Sequence, residues 1–265
     1  MRRALHLDSN CGRSVVLKPI RLANRRRNVM TPFPDTRMRR AYACRMVVVS
    51  VFAGGAGLQV EEVALAKSTD YVIAVDHGYL LAQAVGCGVD ELIGDMDSLA
   101  PFKVSEANAS GVVVVECPSE KDSSDLELAL RRAIAVPNVS KVMVFGIGTS
   151  PVRPRRPDHG AINLAVLANP ELAAVPIEIY FDGAQVRVVH NNFSIYARVG
   201  ATVSLLAVGG VATGVTTDGL RWALDDATLT PFQAWGLSNE ITSSPASVSL
   251  TSGVILVFVV SADSG

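Results

Sequence analysis

The chain has 265 residues, 49% of them hydrophobic and 18% charged, which excludes a disordered protein and is enough to build one large domain or two small ones. The formal net charge of −1 hides a split: residues 1–45 hold eleven Arg, one Lys and only Asp8 and Asp35, a net of +10, leaving −11 on the rest. An acidic body excludes nucleic acid as the main partner and suits a protein that handles phosphates through metal ions. No apolar run reaches the roughly 18 residues of a membrane helix, so no membrane partner is expected.

Residues 1–45 are Arg-rich, acid-poor and without periodicity. They read as an organelle-targeting segment, a disordered extension, or sequence upstream of the functional start, and they stand outside the expected fold. Cys11, Cys44, Cys87 and Cys117 form no Cys-x-x-Cys and have no His at metal-ligand spacing, so they read as reduced thiols of a cytoplasmic compartment.

From Met46 to about Phe181 strand and helix alternate. Met46–Phe52 is a β-branched run that ends in Gly54-Gly55-Ala56-Gly57. A helix is expected over Glu61–Ser68, a strand over Tyr71–Val75 and a helix over Leu80–Val85. Further strands are expected over Val112–Val115, Lys141–Phe145 and Ile177–Phe181. Continuous apolar strands between helices imply a parallel sheet covered on both faces. Ser124-Asp-Leu-Glu127 fits a capping box; Leu126, Leu130 and Ile134 then share one helix face, and Pro137 closes it. Beyond Ala184 the pattern is short strands and Gly, Asn and Thr turns: 186–189, 193–199, 202–208, 246–250 and 254–260. The expected architecture is an α/β domain with a mainly parallel sheet (46–184) followed by an all-β sandwich domain (185–265).

Acidic residues gather in the α/β half. Asp95 and Asp97 lie two apart in Gly94-Asp95-Met96-Asp97-Ser98, and in an extended loop such side chains point the same way. Two carboxylates on one side make a hard-oxygen site for Mg²⁺, which Asp125 can complete while substrate phosphates fill the remaining positions. The helix macrodipole alone also favours an acid at Asp125, and Asp-x-Asp-Ser also suits a plain turn. Ligands of open α/β sheets bind beyond the carboxyl ends of the strands, where Asp76 also falls. The glycines at 54 and 55 allow backbone N–H groups to approach a phosphate, but no Walker A Gly-Lys-Ser/Thr follows. Arg153, Arg155 and Arg156 crowd the loop after the Lys141–Phe145 strand, and Asp158 and His159 suit capping of the next helix. No nucleophile pairs with His159, so a Ser-His-Asp hydrolase is excluded.

In chain order the segments Asp76-His77-Gly78, Gly94-Asp95-Met96-Asp97-Ser98, Lys121-Asp122-Ser123-Ser124-Asp125, Arg156-Pro157-Asp158-His159, Thr217-Asp218-Gly219-Leu220-Arg221-Trp222 and Gly236-Leu237-Ser238-Asn239-Glu240 resemble the thiamine pyrophosphokinase family across roughly Met46 to Val260. The resemblance implies transfer of pyrophosphate from ATP to the hydroxyl of thiamine, with Mg²⁺, in a homodimer with active sites between subunits. It implies Asp95, Asp97 and Asp125 as metal ligands. Asp76, Gly78, Lys121, Ser124, Arg156 and Asp158 are implied as nucleotide or phosphate contacts, with Gly54 and Gly55 beside them. Arg156 and Asp158 join the three metal carboxylates as the implied catalytic set. Trp222, Ser238 and Asn239 are implied on the thiamine side. His77 stands where the family has Gly, and Ser124 where it has Thr. The stretch 146–155 is longer than the family's Gly-rich loop, so Arg153 or Arg155 can take the place of Arg156. The competing readings are a pyrophosphokinase for another hydroxylated heterocycle, such as a pterin, and a non-catalytic sensor of thiamine or its diphosphate.

Overall fold

The computed structural model describes residues 45–55, 57–148 and 157–261. The basic head, Ala56 and the arginines at 153, 155 and 156 lie outside these residues, so the expectations placed on them are not addressed by the fold.

The α/β half is built from β1 (Val47–Phe52), α1 (Val60–Lys67), β2 (Tyr71–Val75), α2 (Gly78–Ala84), β3 (Glu91–Gly94), α3 (Pro101–Ala109), β4 (Val113–Glu116), α4 (Asp125–Ile134), β5 (Val139–Phe145), α5 (Pro157–Val166), a 3-10 turn (Pro170–Ala174) and β6 (Ile177–Phe181). β1 through β6 pair in parallel in the order β6-β5-β1-β2-β3-β4. β1 and β2 are buried almost throughout, as the continuous apolar runs require. Two elements escape sequence reading. β3 is only four residues long and starts on the acidic Glu91, and α3 carries a mixed face opened by Pro101. β3 pairs in parallel with β2 and with the edge strand β4.

α4 shows why its segment folds as it does. The Ser124 hydroxyl accepts from the Glu127 N–H at 3.2 Å, satisfying one free donor of the first turn. Glu127 pairs with Arg131 Nη2 at 2.7 Å, one turn on. The apolar face buries Leu126, Leu130 and Ala133 against the sheet.

Strands β7 (Ala184–Val189), β8 (Asn192–Ile195), β9 (Thr202–Ala207), β10 (Ala212–Asp218), β11 (Ala227–Leu229), β12 (Asn239–Glu240), β13 (Ala246–Ser249) and β14 (Ile255–Val260) make the second half. They form two layers, as a sandwich should. One layer, however, is the parallel sheet itself, extended antiparallel: the full order is β12-β9-β14-β7-β6-β5-β1-β2-β3-β4. The other layer is β11-β10-β13-β8. Alternate residues of both layers, among them Val203, Val215, Val248 and Val257, meet in a second core. β6 and β7 join through the turn Asp182-Gly183, both at positive φ, which makes the hairpin that reverses the sheet. Among the described residues no helix is long and apolar enough to cross a membrane.

Candidate active site

The order β4-β3-β2-β1 on one side and β5-β6 on the other places a topological switch between β1 and β5. In open α/β sheets the ligand crevice forms there, beyond the carboxyl ends of the strands. A cavity of about 490 Å³ opens at that place. Its floor is Gly54-Gly55 after β1 and Gly146-Ile147-Gly148 after β5; one wall is Asp76-His77, Asp95, Asp97, Ser98 and Ser124-Asp125; the other is His159, Gly160 and Asn163 of α5.

The strand exits are held close by backbone contact. Gly55 N–H donates to Gly146 O at 2.7 Å, and a Cβ on Gly55 would lie 2.1 Å from Gly148 O. A Cβ on Gly78 would lie 2.0 Å from Phe52 O. These glycines let neighbouring exits touch, a packing reason that holds whether or not a phosphate approaches.

The acidic wall is locked in the same manner. Asp76 sits at φ 43 and its Oδ1 accepts from Met96 N–H at 3.2 Å. Met96 is itself at φ 61 and Asp97 N–H donates to Asp95 Oδ1 at 3.1 Å. The loop is therefore a tight left-handed turn and not the extended segment expected, because the Asp95 side chain folds back on its own backbone. Asp95 and Asp97 nonetheless both face the cavity. Asp125, first residue of α4, joins the same wall, and its Oδ1 takes an ion pair from Lys121 Nζ at 2.9 Å.

Burial, and then the charges of Asp125, Asp95 and Asp97, push the Asp76 carboxyl up to about 7. The Asp97 N–H, and to a lesser degree the Lys121 charge, hold Asp95 below its ordinary range. Burial opposes the charge on Lys121, but its bond to Asp125 and the surrounding carboxylates outweigh that and raise it.

Asp76, Asp95, Asp97, Ser124, Asp125, Gly54 and Gly55 thus come together in one cavity. Gly78 is buried behind the wall, Lys121 meets the site through Asp125, and Asp158 is exposed in the first turn of α5. His159, expected to cap or pack, lines the cavity instead; His77, noted only as a departure from the family's Gly, joins it, as do Ile147 and Asn163, to which no role was given. His77 had a visible signal, since it follows Asp76 directly.

The donor set is all oxygen, which suits a hard divalent cation. Among the described residues no three His, Cys, Asp or Glu side chains close into a cage for an ion. Mg²⁺ does not need one: it keeps waters and substrate phosphates and takes one or two carboxylates. The buried Ser98 hydroxyl has no hydrogen-bond partner among the described residues and is available to a ligand. These residues fit a metal-bound polyphosphate.

Trp222, Ser238 and Asn239 form a second locus. Asn239 clasps the backbone of Trp222, accepting its N–H at 3.1 Å and donating to its carbonyl at 2.7 Å. Arg221 stacks on the Trp222 ring at 5.1 Å and pairs with Glu240 at 3.0 Å. Ser238, at φ 57, donates its N–H to Ser204 Oγ at 3.0 Å. None of the three lines the carboxylate cavity. β12 is the far edge of the sheet, seven strand spacings from β2, which is roughly 35 Å along the sheet. The neighbouring Phe232, Trp235 and Leu237 are exposed, and none was anticipated from sequence.

Comparison with known proteins gives two family matches: "Thiamin pyrophosphokinase, catalytic domain" over residues 63–181 and "Thiamin pyrophosphokinase, vitamin B1 binding domain" over residues 190–255. The curated protein "Thiamine pyrophosphokinase 3" of Oryza sativa subsp. japonica is 24% identical over 178 residues, which span 65% of this chain and 66% of that protein. Solved structures share the fold. The thiamine pyrophosphokinase of Bacillus subtilis superposes with a TM-score of 0.68 at 20% identity, over 81% of this chain and 99% of that one. The Geobacillus thermodenitrificans enzyme gives 0.66 at 22%, over 82% and 99%. Yeast thiamin pyrophosphokinase gives 0.63 at 10%, over 81% and 86%. The two family matches fall on the two halves of the fold, one on each side of the β6–β7 turn, and together cover more than half of the chain: it belongs to the thiamine pyrophosphokinase family.

Proposed function

We propose that this chain transfers the terminal pyrophosphoryl group of ATP to the hydroxyl of thiamine, giving thiamine diphosphate and AMP. The observation that carries the reading is the convergence of Asp76, Asp95, Asp97 and Asp125, from three separate elements, on one cavity at the switch point of a chain matching both family halves. In this reading Asp95, Asp97 and Asp125 are the residues that would hold Mg²⁺, which would neutralise polyphosphate charge. Lys121, tied to Asp125, adds a positive charge behind it. The glycine floor lets phosphate oxygens approach backbone, and Ser98 and Ser124 offer hydroxyls. Arg156 and Asp158, the latter in the first turn of α5, are the remaining phosphate contacts that the family resemblance implies.

The thiamine hydroxyl oxygen bonds to the β-phosphorus as the bond from that phosphorus to the α–β bridging oxygen breaks. AMP leaves with the bridging oxygen, and the hydroxyl proton passes to a carboxylate of the cluster. The residues assigned to thiamine, Trp222, Ser238 and Asn239, lie too far from the cavity to share a ligand with it in one chain. A homodimer that sets the β12 edge of one copy against the cavity of the other resolves this, and the exposed Phe232, Trp235 and Leu237 support that reading. The domain reading carries over with it: 46–184 catalytic, 185–265 thiamine-binding, and 1–45 outside both, in a cytoplasmic protein.

The test is AMP release from ATP and Mg²⁺, with and without thiamine, for the full chain and for residues 46–265. Thiamine-dependent AMP with equal thiamine diphosphate supports the reading. Equal turnover with a hydroxylated pterin, or tight thiamine binding without AMP, refutes it. Mixing inactive Asp97→Asn chains with Trp222→Ala chains should restore turnover at the wild-type KM for thiamine if the site is shared between subunits, and leave only the raised KM of Trp222→Ala if it is not.

A further inference from the structure

Three elements deliver the carboxylates to the cavity: Asp76 follows β2, Asp95 and Asp97 follow β3, and Asp125 opens α4. At their other ends the same three elements are tied together by one buried network. Tyr71 opens β2, Glu91 opens β3 and Arg132 lies in the last turn of α4. They are 1%, 0% and 6% exposed. Arg132 donates through Nε to Glu91 Oε2 at 2.8 Å and through Nη2 to Oε1 at 2.7 Å. The Tyr71 hydroxyl donates to Oε1 at 2.8 Å. Burial, and after it the Glu91 charge, push the Tyr71 phenol well above its ordinary range, so it remains a donor. Next to Glu91, Asp90 accepts the Val72 N–H at 2.8 Å, a second tie between the starts of β2 and β3.

Stability alone does not explain this arrangement. Two charges taken out of water lose about as much hydration as they gain in attraction, and apolar residues of similar size commonly do as well. Two-point geometry is what apolar packing cannot supply. The face of α4 that carries Leu126, Leu130 and Ala133 tolerates small slips along the sheet, whereas a guanidinium fork on a fixed carboxylate fixes both axial position and rotation. Arg132 is seven residues from Asp125, roughly 10 Å along the helix, so a slip at one end appears at the other.

We propose that Arg132, Glu91 and Tyr71 are positioning residues for pyrophosphoryl transfer: they set α4 against β2 and β3 and thereby hold Asp125 in register with Asp76, Asp95 and Asp97. The inference rests on the carboxylate cavity being the catalytic site.

The test uses the full chain carrying Glu91→Leu with Arg132→Met, which removes both charges and strands neither, and separately Tyr71→Phe, which removes one donor. The readouts are kcat, both KM values, the Mg²⁺ concentration for half-maximal rate, the melting temperature, and Mn²⁺ binding in the presence of ADP by electron paramagnetic resonance, which needs no turnover. In the double variant kcat should fall at least tenfold and Mn²⁺ should bind at least fivefold more weakly. The melting temperature should stay within a few degrees, and KM for thiamine within twofold. Tyr71→Phe should weaken Mn²⁺ binding two- to threefold. A folded double variant with wild-type kcat and Mn²⁺ affinity overturns the proposal. If the double variant does not fold, unchanged Mn²⁺ binding in Tyr71→Phe does so. Failure of the underlying site reading is seen separately, as wild-type activity in Asp97→Asn.

Discussion

Gly94→Ala tests the acidic wall at its tightest point. Gly94 ends β3 at φ 156, and a Cβ there would lie 1.8 Å from Asp76 Oδ1 and 2.3 Å from its Cγ. Normal contact is roughly 3.5 Å, so the Asp76 carboxylate must retreat by well over an ångström. Retreat breaks its bond to Met96 N–H, which holds the turn carrying Asp95 and Asp97. Strained backbone costs about 1–3 kcal/mol, and for a domain of this size each kcal/mol lowers Tm by about 2–4 °C. The expected fall is therefore about 2–12 °C. Displacement of reacting groups by about 1 Å costs on the order of a hundredfold in rate, so kcat/KM should fall at least that much in the AMP-release assay. Adding Asp76→Ala removes the clash but leaves the positive φ of residue 94 and the lost Met96 bond, so neither the Tm nor activity should recover fully. Gly94→Ala with kcat/KM within threefold of wild type would refute the contact and the role assigned to the turn.

Asp97→Asn should lower AMP release by about three orders of magnitude while circular dichroism and Tm stay unchanged, since Asp97 is exposed in the cavity and packs against no core. Ser124→Ala removes the cap on α4 and should cost about 1 kcal/mol in urea unfolding; no change would show that the Glu127 N–H finds another acceptor. Trp222→Ala should raise KM for thiamine about tenfold and leave KM for ATP within twofold, as expected for an aromatic stacked on a cation; a matching rise for ATP would place the ring elsewhere in the mechanism. Because the folded protein holds Asp76 near 7, well above its unfolded value, the folded state binds the extra proton between roughly pH 4 and 7. Stability of the ligand-free protein should then fall as pH rises through that window, and Asp76→Asn should flatten the fall; a wild-type melting temperature that is level from pH 5 to 8 would contradict it.

The sequence by itself determined the parallel strands, the capped helix α4 and the order of the acidic motifs. Each is written locally, in β-branched runs, in a Ser with a Glu three residues on, and in carboxylates just past apolar segments. Glu91 hid β3, because a buried acid at a strand start is tolerated only with Arg132 and Tyr71 around it, and Arg132 lies 41 residues away. The Asp95–Asp97 segment suits either an extended loop or a plain turn for a related reason: the choice is made by the Asp76 carboxylate reaching Met96 across 20 residues. Only tertiary structure decided that the two halves share one sheet, since strand partners such as β7 and β14 are a matter of pairing and not of pattern. It also decided that the carboxylate cavity stands at the β1–β5 switch, several strands away from the Trp222 locus at the β12 edge of that sheet. Position along a chain says which residues are chemically fit for a site, whereas strand order, fixed by hydrogen bonding and burial, says which of them can touch the same ligand.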